Sequence, residues 1–185
     1  MSDLPNQLCQ RAKTGDREAA TELIGLFYER IYAFLRRQTP SDQDAADLTQ
    51  KTFAKAWASL DSFTGRSSFS TWLHGIAHHV YLDLRRQRKP AESQSDEWWA
   101  TCSASTPTPF EDTAEKDLAA QLYALVEQLD EDTRQTIHLH YYQGLSLAET
   151  AAVLGVATST VKYRLRRALD FLRPRVADPS GRHIR

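Results

Sequence analysis

His74 and His78 stand one helical turn apart, with Asp83 close behind. On a helix, an i, i+4 histidine pair can hold a metal ion, and a nearby carboxylate could complete a metal-assisted catalytic centre. Two features argue against that chemistry. No second cluster of His or Cys accompanies the pair, and a metal site draws on several such ligands. At about 100° per residue, Asp83 also falls toward the apolar side of the helix rather than beside the histidines. The same helix suggests another chemistry. His74, His78, Tyr81, Arg85 and Arg88 share one stripe, and the helix ends in the run RRQRK. Rings interleaved with cations on one face suit a nucleic-acid backbone and unpaired bases. A solvated cationic helix is the plainer alternative. We expect no catalytic residue, no metal and no cofactor.

The elements that position this stripe lie between Asp42 and Lys89. Its helix starts between Ser67 and Ser70 and packs through Phe69, Trp72, Leu73, Ile76, Ala77, Val80 and Leu84. Before it comes the loop DSFTGRSS, Asp61 to Ser68. Gly65 permits backbone angles that other residues avoid. Phe63, with Arg66 and Ser67 beside it, could stack on and hold an unpaired base. Alternatively, Phe63 tucks into the core and the loop is only a connector. An earlier helix begins at Ser41 or Asp42 after Pro40, where a short polar side chain can cap free N–H groups. Ala45, Leu48, Thr52, Phe53, Ala56 and Leu60 mark its core face. Asp47, Lys51, Ala54 and Ala58 lie opposite. The small residues there permit close approach of another backbone; a plain solvated face is the alternative.

A second candidate lies in LSLAETAAVLGVATSTVKYRLRRALDFL, Leu145 to Leu172. Ser146 and Glu149 have the spacing of a capping box. Gly155 suits the tight turn that follows, and Thr158 or Ser159 starts the next helix. Val161, Leu165, Ala168 and Leu172 face inward, while Ser159, Tyr163, Arg166 and Arg167 project outward, flanked by Lys162. This reads as a helix-turn-helix with a cationic second helix, the arrangement that enters a DNA major groove; two packed helices with no DNA role are the alternative.

The remaining chain frames these two sites. Leu4 to Gln38 reads as one or two apolar-faced helices broken at Thr14-Gly15-Asp16. Pro90 to Thr113 lacks helical periodicity and is rich in Ser, Thr, Pro and acids. Trp98-Trp99 within it could dock on a partner or on this chain. Net charge is −1, but its distribution is uneven: Glu92 to Asp117 holds seven acids and one base, and Thr158 to Val176 six bases and one acid. Separate basic blocks suggest separate nucleic-acid contacts. The two cysteines, Cys9 and Cys102, make no disulfide framework. No apolar run approaches membrane-spanning length and the start is not a signal peptide, so a cytoplasmic protein is expected. The expected fold is all-α, with two small helical domains at 1–90 and 114–176, a linker at 91–113 and a tail at 177–185.

DAADLTQKTFAKAWASLDSF, followed by SSFSTWLHGIAHHVYLDLRRQRK, resembles region 2 of extracytoplasmic-function sigma factors. LDEDTRQTIHLHYYQGLSLAETAAVLGVATSTVKYRLRRAL resembles their region 4. The resemblance implies a bacterial transcription initiation factor. The outer face of the Asp44 to Ala58 helix would dock on the β′ clamp helices of core RNA polymerase through Asp44, Asp47, Gln50, Lys51 and Ala54. Phe63, Arg66 and Ser67 would capture a flipped base of the minus-ten element. His74, His78, Tyr81, Arg85 and Arg88 would hold the upstream edge of the bubble. Thr158, Ser159, Thr160, Lys162, Tyr163, Arg166 and Arg167 would read the minus-thirty-five element. The resemblance also implies contact with the polymerase β flap, a linker threading near the RNA exit path, and control by an anti-sigma factor. Tyr163, where many relatives have a small residue, and Thr150, at a usually larger apolar position, depart from the pattern and leave the promoter sequence open. A helix-turn-helix regulator that binds duplex DNA alone is the rival reading.

Overall fold

The computed structural model describes residues 4–88 and 121–177. The expected linker with Trp98, Trp99 and Cys102, together with Lys89 and residues 178–185, lies outside the described residues. The described residues contain helices, turns and loops but no strand, and the chain divides into two compact units.

The amino-terminal unit contains α1 (Leu4–Lys13), α2 (Arg17–Arg36), α3 (Asp42–Ala58), a single 3-10 turn (Leu60–Ser62) and α4 (Phe69–Arg88). Local chemistry sets these limits. Gly15, at φ +89°, breaks α1 from α2. The Asp16 carboxylate then caps α2, accepting from the Glu18 and Ala19 N–H groups at 3.0 Å each. Ser41 caps α3 by accepting from the Asp44 N–H at 3.1 Å. Leu8, Leu23, Phe27, Ile31, Phe34, Leu35, Leu48 and Leu73 are all buried. The buried edge of α3 also includes Thr49 and Thr52, whose hydroxyls each donate to a carbonyl one turn back at 2.7 Å. That bond removes the penalty of burying a hydroxyl.

In the carboxyl-terminal unit, residues 121–127 are helical (α5). They are followed by α6 (Glu131–Ile137), a π-helical turn (His138–Tyr142), α7 (Leu147–Leu154) and α8 (Thr158–Ala177). Asp130 caps α6, accepting from the Thr133 N–H at 3.0 Å and its hydroxyl at 2.9 Å. The capping box forms as expected: the Ser146 N–H donates to Glu149 Oε2 at 2.9 Å, and the Glu149 N–H to Ser146 Oγ at 3.2 Å. Gly155 takes φ +66° between α7 and α8. Val126, Leu129, Ile137, Ala151, Val161, Leu165 and Ala168 form the core. After α6 the backbone widens into the π turn, which keeps Leu139 buried but leaves Tyr141 60% exposed.

Candidate nucleic-acid interface

The outer face of α3 is exposed among the described residues. Asp47, Gln50, Lys51, Ala54 and Ala58 are exposed, while Ala45, Leu48, Thr49, Thr52 and Ala56 are buried behind them. Gln43 donates to Asp47 at 3.0 Å across the first turns of this face. Trp57, 40% exposed, continues the face, a large aromatic that the sequence reading passed over. Its position seven residues after Gln50 was the available signal. Asp44 is half-buried at the edge and accepts from Arg88 Nη2 at 2.7 Å. Burial opposes the charged form of Asp44, but its bonds to Arg88 and Ser41 outweigh that and hold the carboxyl below its ordinary range. Two residues expected on separate surfaces thus meet each other.

The stripe expected on the outside of α4 requires correction. His74, His78 and Tyr81 are buried, not exposed. Helix α4 packs against α1, α2 and α3, so its buried arc spans about 200° at 100° per residue. The imidazole of His74 meets the edge of Phe34 at 5.6 Å, and its Nδ1 donates to the Ser70 carbonyl at 2.8 Å. These rings fill core space rather than the outer surface. The outer arc instead carries His79, Arg86 and, at the end, Arg88, which are exposed, with Gly75, Leu82, Asp83 and Arg85 half-buried. Asp83 is bound by Lys55 at 3.1 Å and lies 3.4 Å from Arg86. The Lys55 bond holds its carboxyl below the usual range. A His74, His78, Asp83 centre therefore does not assemble.

Phe63 requires the same correction. Its ring is 4% exposed and packs on Phe69 at 5.5 Å and Trp72 at 5.2 Å. It anchors the loop and is not offered to a base. The exposed part of the loop runs from Thr64 through Ser68, including Arg66 and Ser67, around Gly65 at φ +74°.

In the carboxyl-terminal unit the helix-turn-helix stands as read. Val161, Leu165 and Ala168 hold α8 to the core. Ser159, Lys162, Tyr163, Arg166 and Arg167 are exposed, Tyr163 by 61%, with Thr158 and Thr160 half-buried at the helix start. Arg164 is ion-paired with Asp132, and Arg167 lies 3.7 Å from Asp130. These pairs tie α8 to the start of α6 and leave Lys162 and Arg166 at the centre of the cationic face. Thr150 is fully buried.

Residues 23–90 match the family model for sigma-70 region 2, and residues 119–172 the model for sigma-70 region 4. The chain belongs to the extracytoplasmic-function sigma factors of the sigma-70 family. It is 32% identical over 172 residues to the RNA polymerase sigma-E factor of Escherichia coli K12, covering 88% of this chain and 89% of that one. It is 27% identical over 177 residues to the sigma factor SigW of Bacillus subtilis, covering 91% and 95%. Among solved structures, CnrH in complex with the cytosolic domain of CnrY superposes with a TM-score of 0.67 at 27% identity, over 93% of this chain and 96% of that one. The sigma factor RpoE of Bartonella quintana, in complex with the anti-sigma factor NepR, gives 0.68 at 25%, over 88% and 98%. Region 2 of this sigma factor takes in most of α2 with α3 and α4, and α1 precedes it. Among its described residues no helix is long and apolar enough to cross a membrane.

Proposed function

We propose that this sigma factor docks core RNA polymerase through the outer face of α3, captures melted minus-ten DNA with the Thr64–Ser68 loop, and reads the minus-thirty-five duplex with α8. The β′ clamp helices would meet Asp47, Gln50, Lys51, Ala54 and Trp57, with Asp44 at the margin. The β flap is expected as a further polymerase contact. Region 4 supports the reading most directly: Ser159, Lys162, Tyr163 and Arg166 face solvent from a helix whose opposite side is fixed in the core. Base stacking in the bubble must be opened at about 1.4 kcal/mol per step. A protein that binds only the opened form shifts that balance without covalent chemistry. With Phe63 in the core, the base would meet the Arg66 guanidinium plane and the Ser67 hydroxyl, groups suited to an unpaired base. Arg85, Arg86 and Arg88 would hold phosphates at the end of α4. An anti-sigma factor is the expected regulator, in keeping with the solved complex of RpoE with the anti-sigma factor NepR, and the cytoplasm the expected compartment.

Purified protein added to bacterial core polymerase should yield transcripts whose start sites share two upstream elements. Tight duplex binding without core association or initiation would favour the rival regulator. In the same assay, Asp47→Ala should weaken core affinity about three- to tenfold while leaving the fold intact, and retained affinity would reject this docking face. Arg166→Ala should weaken minus-thirty-five binding by about 1–3 kcal/mol and relax selectivity at one base pair. Equal losses on every sequence would show that Arg166 touches only phosphate.

A further inference from the structure

Lys13 ends α1 and lies 50 residues before Phe63, yet its ammonium sits at the base of the exposed loop. Nζ donates to the Phe63 carbonyl at 2.6 Å and reaches that of Asp61 at 3.5 Å. It also stands 5.9 Å from the centre of the Phe63 ring. These carbonyls lie in and just past the 3-10 turn Leu60–Ser62, where backbone acceptors lack helical donors. The lysine is half-buried, and reduced competition from water strengthens such a charged bond. On the far side of the loop, Ser68 Oγ accepts from the Thr71 N–H at 3.1 Å and fixes the start of α4. Between these anchors, Thr64 to Ser67 are exposed. The loop has two fixed roots and an accessible tip, and one root is held from an element outside the matched region 2.

We propose that Lys13 is a positioning residue for base capture. By holding the Phe63 carbonyl, it sets where Arg66 and Ser67 stand before a base arrives, so less ordering remains to be done on binding. Lys13 touches no DNA itself. The inference rests on the reading of Thr64–Ser68 as the base-capturing loop.

The test uses the full-length sigma factor with core polymerase and a promoter carrying a fluorescent base analogue in the minus-ten element. Lys13→Met keeps the aliphatic stem and removes the donor. It should slow opening about tenfold, equivalent to about 1.4 kcal/mol. Core affinity and minus-thirty-five duplex binding should stay within about twofold, a change below 0.5 kcal/mol. Lys13→Arg, which can still donate to both carbonyls, should restore most of the rate. Unchanged opening in Lys13→Met overturns the proposal. So does a parallel loss of opening, core affinity and melting temperature, which would mark Lys13 as a general support of the unit. Should Lys13→Met fail to fold, Lys13→Arg and Lys13→Ala decide it: failure of arginine to outperform alanine, which has no donor, in opening rejects the donor role. Arg66→Ala and Ser67→Ala separate the two readings. Slower opening in those variants with normal opening in Lys13→Met removes only the lysine inference, while normal opening in all of them removes the capture loop as well.

Discussion

Replacing Phe63 with alanine lowers the stability of the amino-terminal unit by about 3–5 kcal/mol, even with no DNA present. The ring is almost fully enclosed and sits among Phe69 and Trp72, and Phe69 in turn meets Phe27 at 5.3 Å. Truncation removes the transferred surface, leaves a cavity, and forfeits aromatic pairs worth about 0.5–1.5 kcal/mol each. Urea denaturation followed by tryptophan fluorescence measures the change, with Trp72 placed to report it. Phe63→Leu should recover much of the loss, because volume and apolar character are largely kept. A ring that stacked on DNA would behave differently: stability of the free protein would hold, and only promoter opening would fall. A midpoint indistinguishable from wild type would put Phe63 back among the base-contacting residues.

Arg134→Ala is expected to destabilise the carboxyl-terminal unit by about 2–4 kcal/mol. Arg134 is buried, and its Nη1 donates to the carbonyls of Glu127 at 2.8 Å and Leu129 at 3.0 Å. It thereby ties α6 to the end of α5 and to the Leu129 turn. Alanine removes both donors and the packed stem, so two carbonyls lose a charged partner at once. Arg134→Lys should recover only part, since an ammonium lacks the planar fork. Thermal or urea melting of the unit gives the magnitude. The salt dependence of DNA binding, measured where the variant is still folded, separates the roles. A structural arginine leaves the slope unchanged, whereas loss of a phosphate contact lowers it by about one ion. A normal melting curve with a shallower slope would reassign Arg134 to the DNA surface.

Much of this architecture was legible because it rests on local chemistry. Asp16, Ser41, Ser146 with Glu149, and Gly155 announce helix ends through bonds to neighbours a few residues away, and each does so in the structure. The exposed face of α8 was legible for a related reason: one stripe of Val161, Leu165 and Ala168 is enough to orient a helix packed on one side. Helix α4 defeated the same method. Periodicity tells which way a helix leans, but the width of its buried arc depends on how many neighbours surround it. Histidine and tyrosine are ambiguous in that setting, because their rings pack well and their polar atoms find backbone partners. Phe63 could not be assigned for the reason already visible in its loop, where an aromatic serves equally as anchor or as platform. Lys13 gave no signal at all, since its partners are carbonyls 48 and 50 residues away.

The bond between Arg88 and Asp44 alters how charge is counted on this molecule. A guanidinium already neutralised by a carboxylate displaces little from the ionic cloud around DNA. If Arg88 turned to a phosphate, as the proposed contact requires, it would exchange one anion for another and leave Asp44, on α3, with only its Ser41 bond. The basic end of α4 is therefore weaker bait for nucleic acid than its composition implies. On the proposed docking and DNA contacts, an occupant that satisfied Asp44 from the polymerase side would release Arg88 for the promoter, and assembly and grip would then strengthen each other by the same factor.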